Sequence, residues 1–215
     1  MTDTSAPAAP EVNLVEGSDL KESLAAGWRD FRRAPLLGLV FSAVYVLGGW
    51  LIVWAMAAKG QVWWTLPASA GFPILGPFIA CGFYEISRRL EAGEPLVAGQ
   101  IFGVIFRQKD RQIPAIAAVI VVYFLFWNFL SHMIFALFLG NATMTNVSSS
   151  LQVFLSSEGL MMLGFGTLVG ACFATLLFCL TVVSLPMLLD REVDFVTAML
   201  TSFELVKENP RLMLT

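Results

Sequence analysis

Side chains that could bind a cation are concentrated in one short stretch near the end of the sequence, SLPMLLDREVDF. Pro186 is followed there by Asp190, Arg191 and Asp194, and Glu192 adds a third carboxylate. Carboxylate oxygens are the ligands that Ca²⁺ and Mg²⁺ prefer, but a full coordination shell needs more oxygen ligands than this stretch supplies. A cation site is therefore one of two interpretations of these residues.

The other interpretation is the start of an amphipathic helix. Pro186 disturbs the end of the preceding apolar run, and Asp190 is placed to cap the helix that follows, because Asp accepts hydrogen bonds from free backbone N–H groups. Glu192 and Asp194 would then lie in the first turn, where the helix dipole favours negative charge. We favour this capping interpretation.

The composition indicates that the elements holding these residues cross a membrane. Of the 215 residues, 57% are hydrophobic and 13% are charged, whereas soluble domains average about 25% charged residues. A helix needs about 20 apolar residues to span a bilayer. Four stretches reach that length, at about 35–58, 62–86, 113–139 and 160–189. The sequence therefore predicts an all-α, polytopic transmembrane helical bundle with four spanning helices.

Two amphipathic helices are predicted outside the spans, at about 19–33 and 190–209, where they would lie at the membrane interface. The apolar stripe of the first contains Leu20, Leu24, Trp28 and Phe31, and that of the second contains Val193, Val196, Leu200 and Phe203. Residues 1–17 are polar and Ala/Pro-rich, which predicts a disordered cytoplasmic tail. Residues 18–215 are predicted to form a single integral membrane domain.

An internal repeat links the two amphipathic helices. WRDFRRAPLLGL begins at Trp28, and FELVKENPRLML begins at Phe203. At this constant offset Pro35 aligns with Pro210, which follows Asn209. Each copy reads as an interfacial helix followed by a proline that opens an apolar run. Pro210 is therefore expected to open a fifth span, which the remaining five residues leave truncated.

The basic residues predict the orientation, because Lys and Arg resist translocation. Of the 13 basic residues, all except Lys59 fall on one side of the four spans. We therefore expect both termini to be cytoplasmic, with outer loops near Lys59 and Asn146.

Several positions within the spans could carry function. Pro73 and Pro77 predict a broken or kinked second span, a feature of transporter substrate sites. Glu85 is expected to form a helix-end ion pair with Arg88 and Arg89.

The third span carries Asn128, Ser131 and His132 on one face. They predict an interhelical hydrogen-bond cluster, with a polar cavity as the alternative.

Small residues form a ridge in the fourth span, at Gly166, Gly170 and Ala174. Such a ridge lets another helix approach closely. The sequence offers no catalytic constellation and no metal-ligand spacing, so we expect neither an enzyme, nor a cofactor, nor a bound metal.

Three strings resemble a family of bacterial integral membrane proteins, domain of unknown function 2189. They are SLPMLLDREVDFVTAMLTSFELVKENP, GPFIACGFYEISRRLEAGEPL and GTLVGACFATLLFCLTVVS. The resemblance implies a multi-pass protein of the bacterial inner membrane, with a further hydrophobic segment after the Asn-Pro pair. It implies no activity.

Two functions are consistent with these features. The first is a non-enzymatic packing, scaffold or assembly protein, and the alternative is a small transporter or channel component built around the second span. The expected partners are the lipid bilayer, and other membrane proteins or a second copy of the chain; no nucleic-acid partner is expected.

Overall fold

The computed structural model describes residues 12–59, 65–108, 111–140 and 154–214, and for 55–57, 59 and 65–74 it describes the backbone alone. All the regular secondary structure in these residues is helical, which confirms the predicted all-α class. The helices are α1 (Gly17–Arg33), α2 (Pro35–Lys59), α3 (Thr65–Ala92), α4 (Ala98–Gln108), α5 (Ile113–Leu139), α6 (Ser157–Thr181), α7 (Ser184–Asp190), α8 (Phe195–Glu208) and α9 (Pro210–Met213).

Three segments of the described chain are long and apolar enough to cross a membrane: Pro35–Trp54, Ile113–Leu139 and Ser157–Asp190. They correspond to three of the four predicted spans, and α3, the predicted second span, is not among them. Between 11% and 17% of the residues in the most apolar part of each segment are buried within the protein. Most of their apolar surface therefore faces outward, as lipid contact requires.

The chain divides into two compact units. The first comprises Met1–Val121 and Cys179–Thr215, and the second comprises Val122–Phe178. In the first unit α2 packs closely on α3. The Phe41 ring of α2 lies against Gly82 of α3 and leaves no room for a Cβ there. The Tyr45 hydroxyl also donates to the Gly76 carbonyl at 2.9 Å. The prediction for Pro73 and Pro77 was a broken or kinked helix, and α3 runs through both prolines without a break. A kink at these prolines stays a prediction.

A core cluster in the same unit joins α3, α4, the first turn of α5, α7 and α8. Its fully buried members include Cys81, Val104, Ile113, Leu188 and Ala198. The sequence analysis did not predict α4, although Ile101, Val104 and Gln108 have the three- and four-residue spacing of a buried helix face.

The structure corrects the bounds of the predicted helix at 190–209. Asp190 ends α7, and α8 begins only at Phe195. The face of α8 that packs on the protein contains Ala198, Thr201, Ser202 and Val206. Three residues of the predicted apolar stripe, Val196, Leu200 and Phe203, point outward and are exposed by 48%, 61% and 40%. The fourth, Val193, lies before α8 and is buried.

The internal repeat is matched by backbone conformation. Ala34 (φ −132°, ψ 52°) ends α1 and Asn209 (φ −124°, ψ 46°) ends α8, and a proline begins the next helix in both copies. The Asn209 carboxamide accepts from Val15 N at 2.7 Å and donates to Asn13 O at 3.3 Å. Asn13 and Val15, which the sequence analysis placed in a disordered tail, are thus tied to α8.

Candidate functional site

The stretch SLPMLLDREVDF begins at an interruption between α6 and α7. Pro186 lacks the N–H that would bond to the carbonyl of Val182, four residues before it. Ser202 of α8 pairs two backbone groups at this interruption. Its hydroxyl donates to Cys179 O at 2.7 Å and accepts from Val183 N at 3.2 Å. Ser202 was not predicted from the sequence, because the two backbone groups that it pairs lie 19 and 23 residues away from it.

Asp194, not Asp190, caps α8. One carboxylate oxygen of Asp194 accepts from Val196 N at 3.0 Å and Thr197 N at 2.9 Å, and the other accepts from Thr197 Oγ1 at 2.6 Å. The hydrogen bonds from Thr197, followed by that from Val196, hold the pKa of Asp194 below its usual value. Asp190 cannot cap α8, because it is the last residue of α7 and four residues separate it from α8.

A groove between α3 and α7 brings together residues that the sequence analysis treated separately. We call it the α3–α7 groove, a cavity of about 290 Å³. It is lined by Tyr84, Glu85, Ser87, Arg88, Glu91, Pro186, Leu189 and Asp190. Glu85, Pro186 and Asp190 are therefore neighbours in the folded chain.

The predicted ion pair at Glu85 is present, and it is more extensive than expected. Glu85 is paired with Arg89 Nε at 2.7 Å and with Arg88 Nε at 2.9 Å. Arg89 is itself buried, and its Nη1 donates to Pro95 O at 3.0 Å and to Gln100 Oε1 at 2.8 Å. The network fastens α3 to α4 and neutralises the carboxylate beside the α3–α7 groove.

The other charged residues of the stretch do not enter this groove. Glu192 pairs with Arg111 Nη2 at 3.3 Å, and both side chains are exposed, so the pair contributes little stability. The Arg191 side chain is exposed to solvent. The three acidic residues therefore have different roles. Asp190 lines the groove, Glu192 forms an ion pair and Asp194 caps α8. This division of roles does not support the predicted alternative of a cation site.

The polar residues of α5 make local hydrogen bonds rather than the predicted interhelical cluster. Ser131 Oγ donates to Asn128 O at 2.8 Å, and His132 Nδ1 lies 2.8 Å from the same carbonyl oxygen. Both contacts stay within one helix, because residues three and four apart share a face.

The small-residue ridge of α6 lines a second groove, which lies within the second unit. This α5–α6 groove has a volume of about 570 Å³. Its lining includes Gly166, Gly170 and Ala174 from α6, and Trp127, Ser131 and Ile134 from α5. A Cβ at Gly170 would lie 3.1 Å from Trp127 Cη2, and one at Gly166 would lie 3.8 Å from Ile134 Cγ2. The ridge therefore faces α5 across the groove.

Aromatic contacts join α5 to α6 toward both ends of this groove. Tyr123 donates through its hydroxyl to Phe173 O at 2.7 Å, and the rings of Phe138 and Phe165 lie 5.8 Å apart. Between these contacts the groove is left open.

The sequence matches the family described as "Predicted integral membrane protein (DUF2189)" over residues 65–190. No match was found among curated proteins or among solved structures. The matched region includes both grooves and the whole of the segments Ile113–Leu139 and Ser157–Asp190. Because it covers more than half of the chain, the protein belongs to this family of integral membrane proteins.

Proposed function

We propose that the protein is a non-enzymatic packing or assembly protein of the bacterial inner membrane. Both termini are cytoplasmic, α3 is a fourth span, and α1 and α8 lie along the cytoplasmic interface. The α5–α6 groove carries the proposal, and its occupant is a transmembrane helix of a partner membrane protein.

The lining of the groove supports helix docking. Helices associate in lipid through close van der Waals packing, which small interface residues permit. Gly166, Gly170 and Ala174 supply such a surface at four-residue spacing. Ser131 and Thr167 also line the groove, and their hydroxyls are of the kind that stabilises pairs of transmembrane helices.

A transport function has less support from the described residues. It depended on an interrupted second span, and α3 is one helix. Glu85, the buried carboxylate at the α3–α7 groove, is also held by two arginines, Arg88 and Arg89. That pairing suits a structural role better than proton transfer or ion release.

Photocrosslinking from native membranes tests this function. A benzoylphenylalanine at Thr167 faces the groove, whereas one at Leu168, a 65% exposed neighbour that does not line it, is the control. We expect a discrete protein adduct from position 167 alone. A second copy of the chain in that adduct would identify the partner as itself. Adducts with lipid alone would contradict the proposal.

A pair of glycine variants provides a second test of the same groove. Gly166→Leu fills the groove and should abolish the adduct from position 167. Gly164→Leu is the matched control, because a Cβ there meets no atom within 4 Å and Gly164 does not line the groove. Equal adduct yields from the two variants would show that the partner binds elsewhere.

A further inference from the structure

We propose that the basic end of α1 binds the phosphate groups of anionic phospholipids, through Arg29, Arg32 and Arg33. The inference rests on the interfacial placement of α1 in the proposed function and adds a ligand class to it. Three independent observations support it: the exposure of the apolar stripe of α1, its connection to a span, and the lack of partners for its arginines among the residues that the structure describes.

The apolar stripe of α1 faces outward. Leu24 is 73% exposed and Trp28 is 61% exposed, and the Trp28 ring stacks on Phe31 at 5.8 Å. None of the residues of α1 is buried. A strongly amphipathic helix with exposed Trp and Leu on one face and Lys and Arg elsewhere is the type that lies in the plane of a membrane interface.

The connection to α2 places this stripe next to a bilayer. Ala34 alone separates α1 from α2, and its N–H bonds to Asp30 O at 3.0 Å. The candidate span begins immediately afterwards, at Pro35, and Leu36 in its first turn is 78% exposed. The last turn of α1 therefore lies where lipid headgroups lie.

The arginines of that last turn are available to a ligand. Arg29, Arg32 and Arg33 are exposed, and none makes an ion pair or side-chain hydrogen bond within the part of the chain that the structure describes. Helical geometry places Arg32 about 40° around the axis from Trp28, at the edge of the apolar stripe. A guanidinium at the edge of the apolar stripe presents paired N–H donors that match the oxygens of a phosphate group.

Lipid binding to the full-length protein tests the inference. The chain is purified in mild detergent, and native mass spectrometry compares bound phosphatidylglycerol with bound phosphatidylcholine of the same acyl chains. Lys and Arg side chains next to a membrane attract anionic lipid headgroups. We therefore expect the triple variant R29Q/R32Q/R33Q to lose its preference for phosphatidylglycerol by roughly tenfold or more.

A charge-matched variant separates a site from a general effect of net charge. R107Q/R111Q/R191Q removes three positive charges from exposed positions outside α1 and α8 and should keep the preference of the parent protein. An equal loss in both triple variants, or no loss in the α1 variant, would overturn the proposal.

A probe on the apolar stripe distinguishes failure of this site from failure of the interfacial placement. A solvatochromic dye is attached at Leu24→Cys, with the exposed Cys172 replaced by Ala, and the protein is reconstituted in vesicles containing phosphatidylglycerol. We expect emission typical of an apolar medium. Emission typical of water would overturn both the placement and the lipid site. Apolar emission with an unchanged lipid preference in the α1 variant would overturn the lipid site alone.

Discussion

Two aspartates four residues apart have different roles because of their backbone. Asp194 is extended (φ −75°, ψ 158°) immediately before a helix, so its carboxylate reaches the free N–H groups of the first turn. Asp190 is helical and lines the α3–α7 groove. A capping aspartate was predicted from the sequence, but the cap was assigned to Asp190 and not to Asp194, because α7 continues four residues beyond Pro186.

The cap predicts a specific pattern of stability. Asp194→Asn should melt close to the parent protein, since Asn caps about as well as Asp, whereas Asp194→Ala should lower the melting temperature. Asp190→Ala is the matched control, because that carboxylate makes no capping hydrogen bond in the structure, and it should leave the melting temperature unchanged. Thermal unfolding in detergent measures all three. Equal melting of the two alanine variants would contradict the assignment of the cap.

At the scale of elements, α8 stabilises the interruption between α6 and α7, which precedes it in sequence. Pro186 makes the interruption predictable from the sequence. The hydroxyl of Ser202 that pairs Cys179 O and Val183 N is not predictable, because helical periodicity describes neighbours within one helix and not the approach of α8. The Glu85 pair was predictable for the opposite reason, since Arg88 and Arg89 lie three and four residues from it.

Removing the Ser202 hydroxyl should therefore destabilise the first unit. Ser202→Ala leaves a buried carbonyl and a backbone N–H without this partner, at a cost of about 1–3 kcal/mol. Thr201→Val is the matched control. Among the described residues the Thr201 hydroxyl bonds only to Thr197 O of its own helix, so its loss should cost less. Hydrogen exchange at Val183 and overall melting report the effect. An equal loss of stability in Ser202→Ala and Thr201→Val would contradict a stabilising role for the hydrogen bonds of Ser202.

At the scale of the molecule, the apolar runs predicted the three candidate spans of the described chain, because a run of bilayer length has few other uses. The fourth predicted span, α3, is not among these candidates. The apolar runs did not predict which way α8 faces. In water the stripe of Val196, Leu200 and Phe203 would turn inward. Beside a membrane an outward stripe is equally favourable, so periodicity alone cannot distinguish the two orientations. Buried Ala198 and Ser202 show that α8 packs through its small and polar residues instead.

The proposed orientation can be checked by cysteine accessibility in intact cells, in the Cys172→Ala background. Gly99→Cys lies on α4, where a Cβ meets no atom within 4 Å. It should resist a membrane-impermeant maleimide until the cells are opened. Leu155→Cys, 74% exposed between α5 and α6, should react from outside. The reverse pattern would invert the proposed topology.

The hydrogen bonds of Asn209 have a consequence for synthesis of the chain. Val15 and its partner are 194 positions apart, and at about 5–20 residues per second a ribosome needs roughly 10–40 s to cover that distance. The residues before α1 leave the ribosome first, yet they cannot reach their final position until α8 and Asn209 have been made. During that interval the first candidate span must stay in the membrane without this contact. The segment 13–15 is therefore among the last parts of the first unit to be completed.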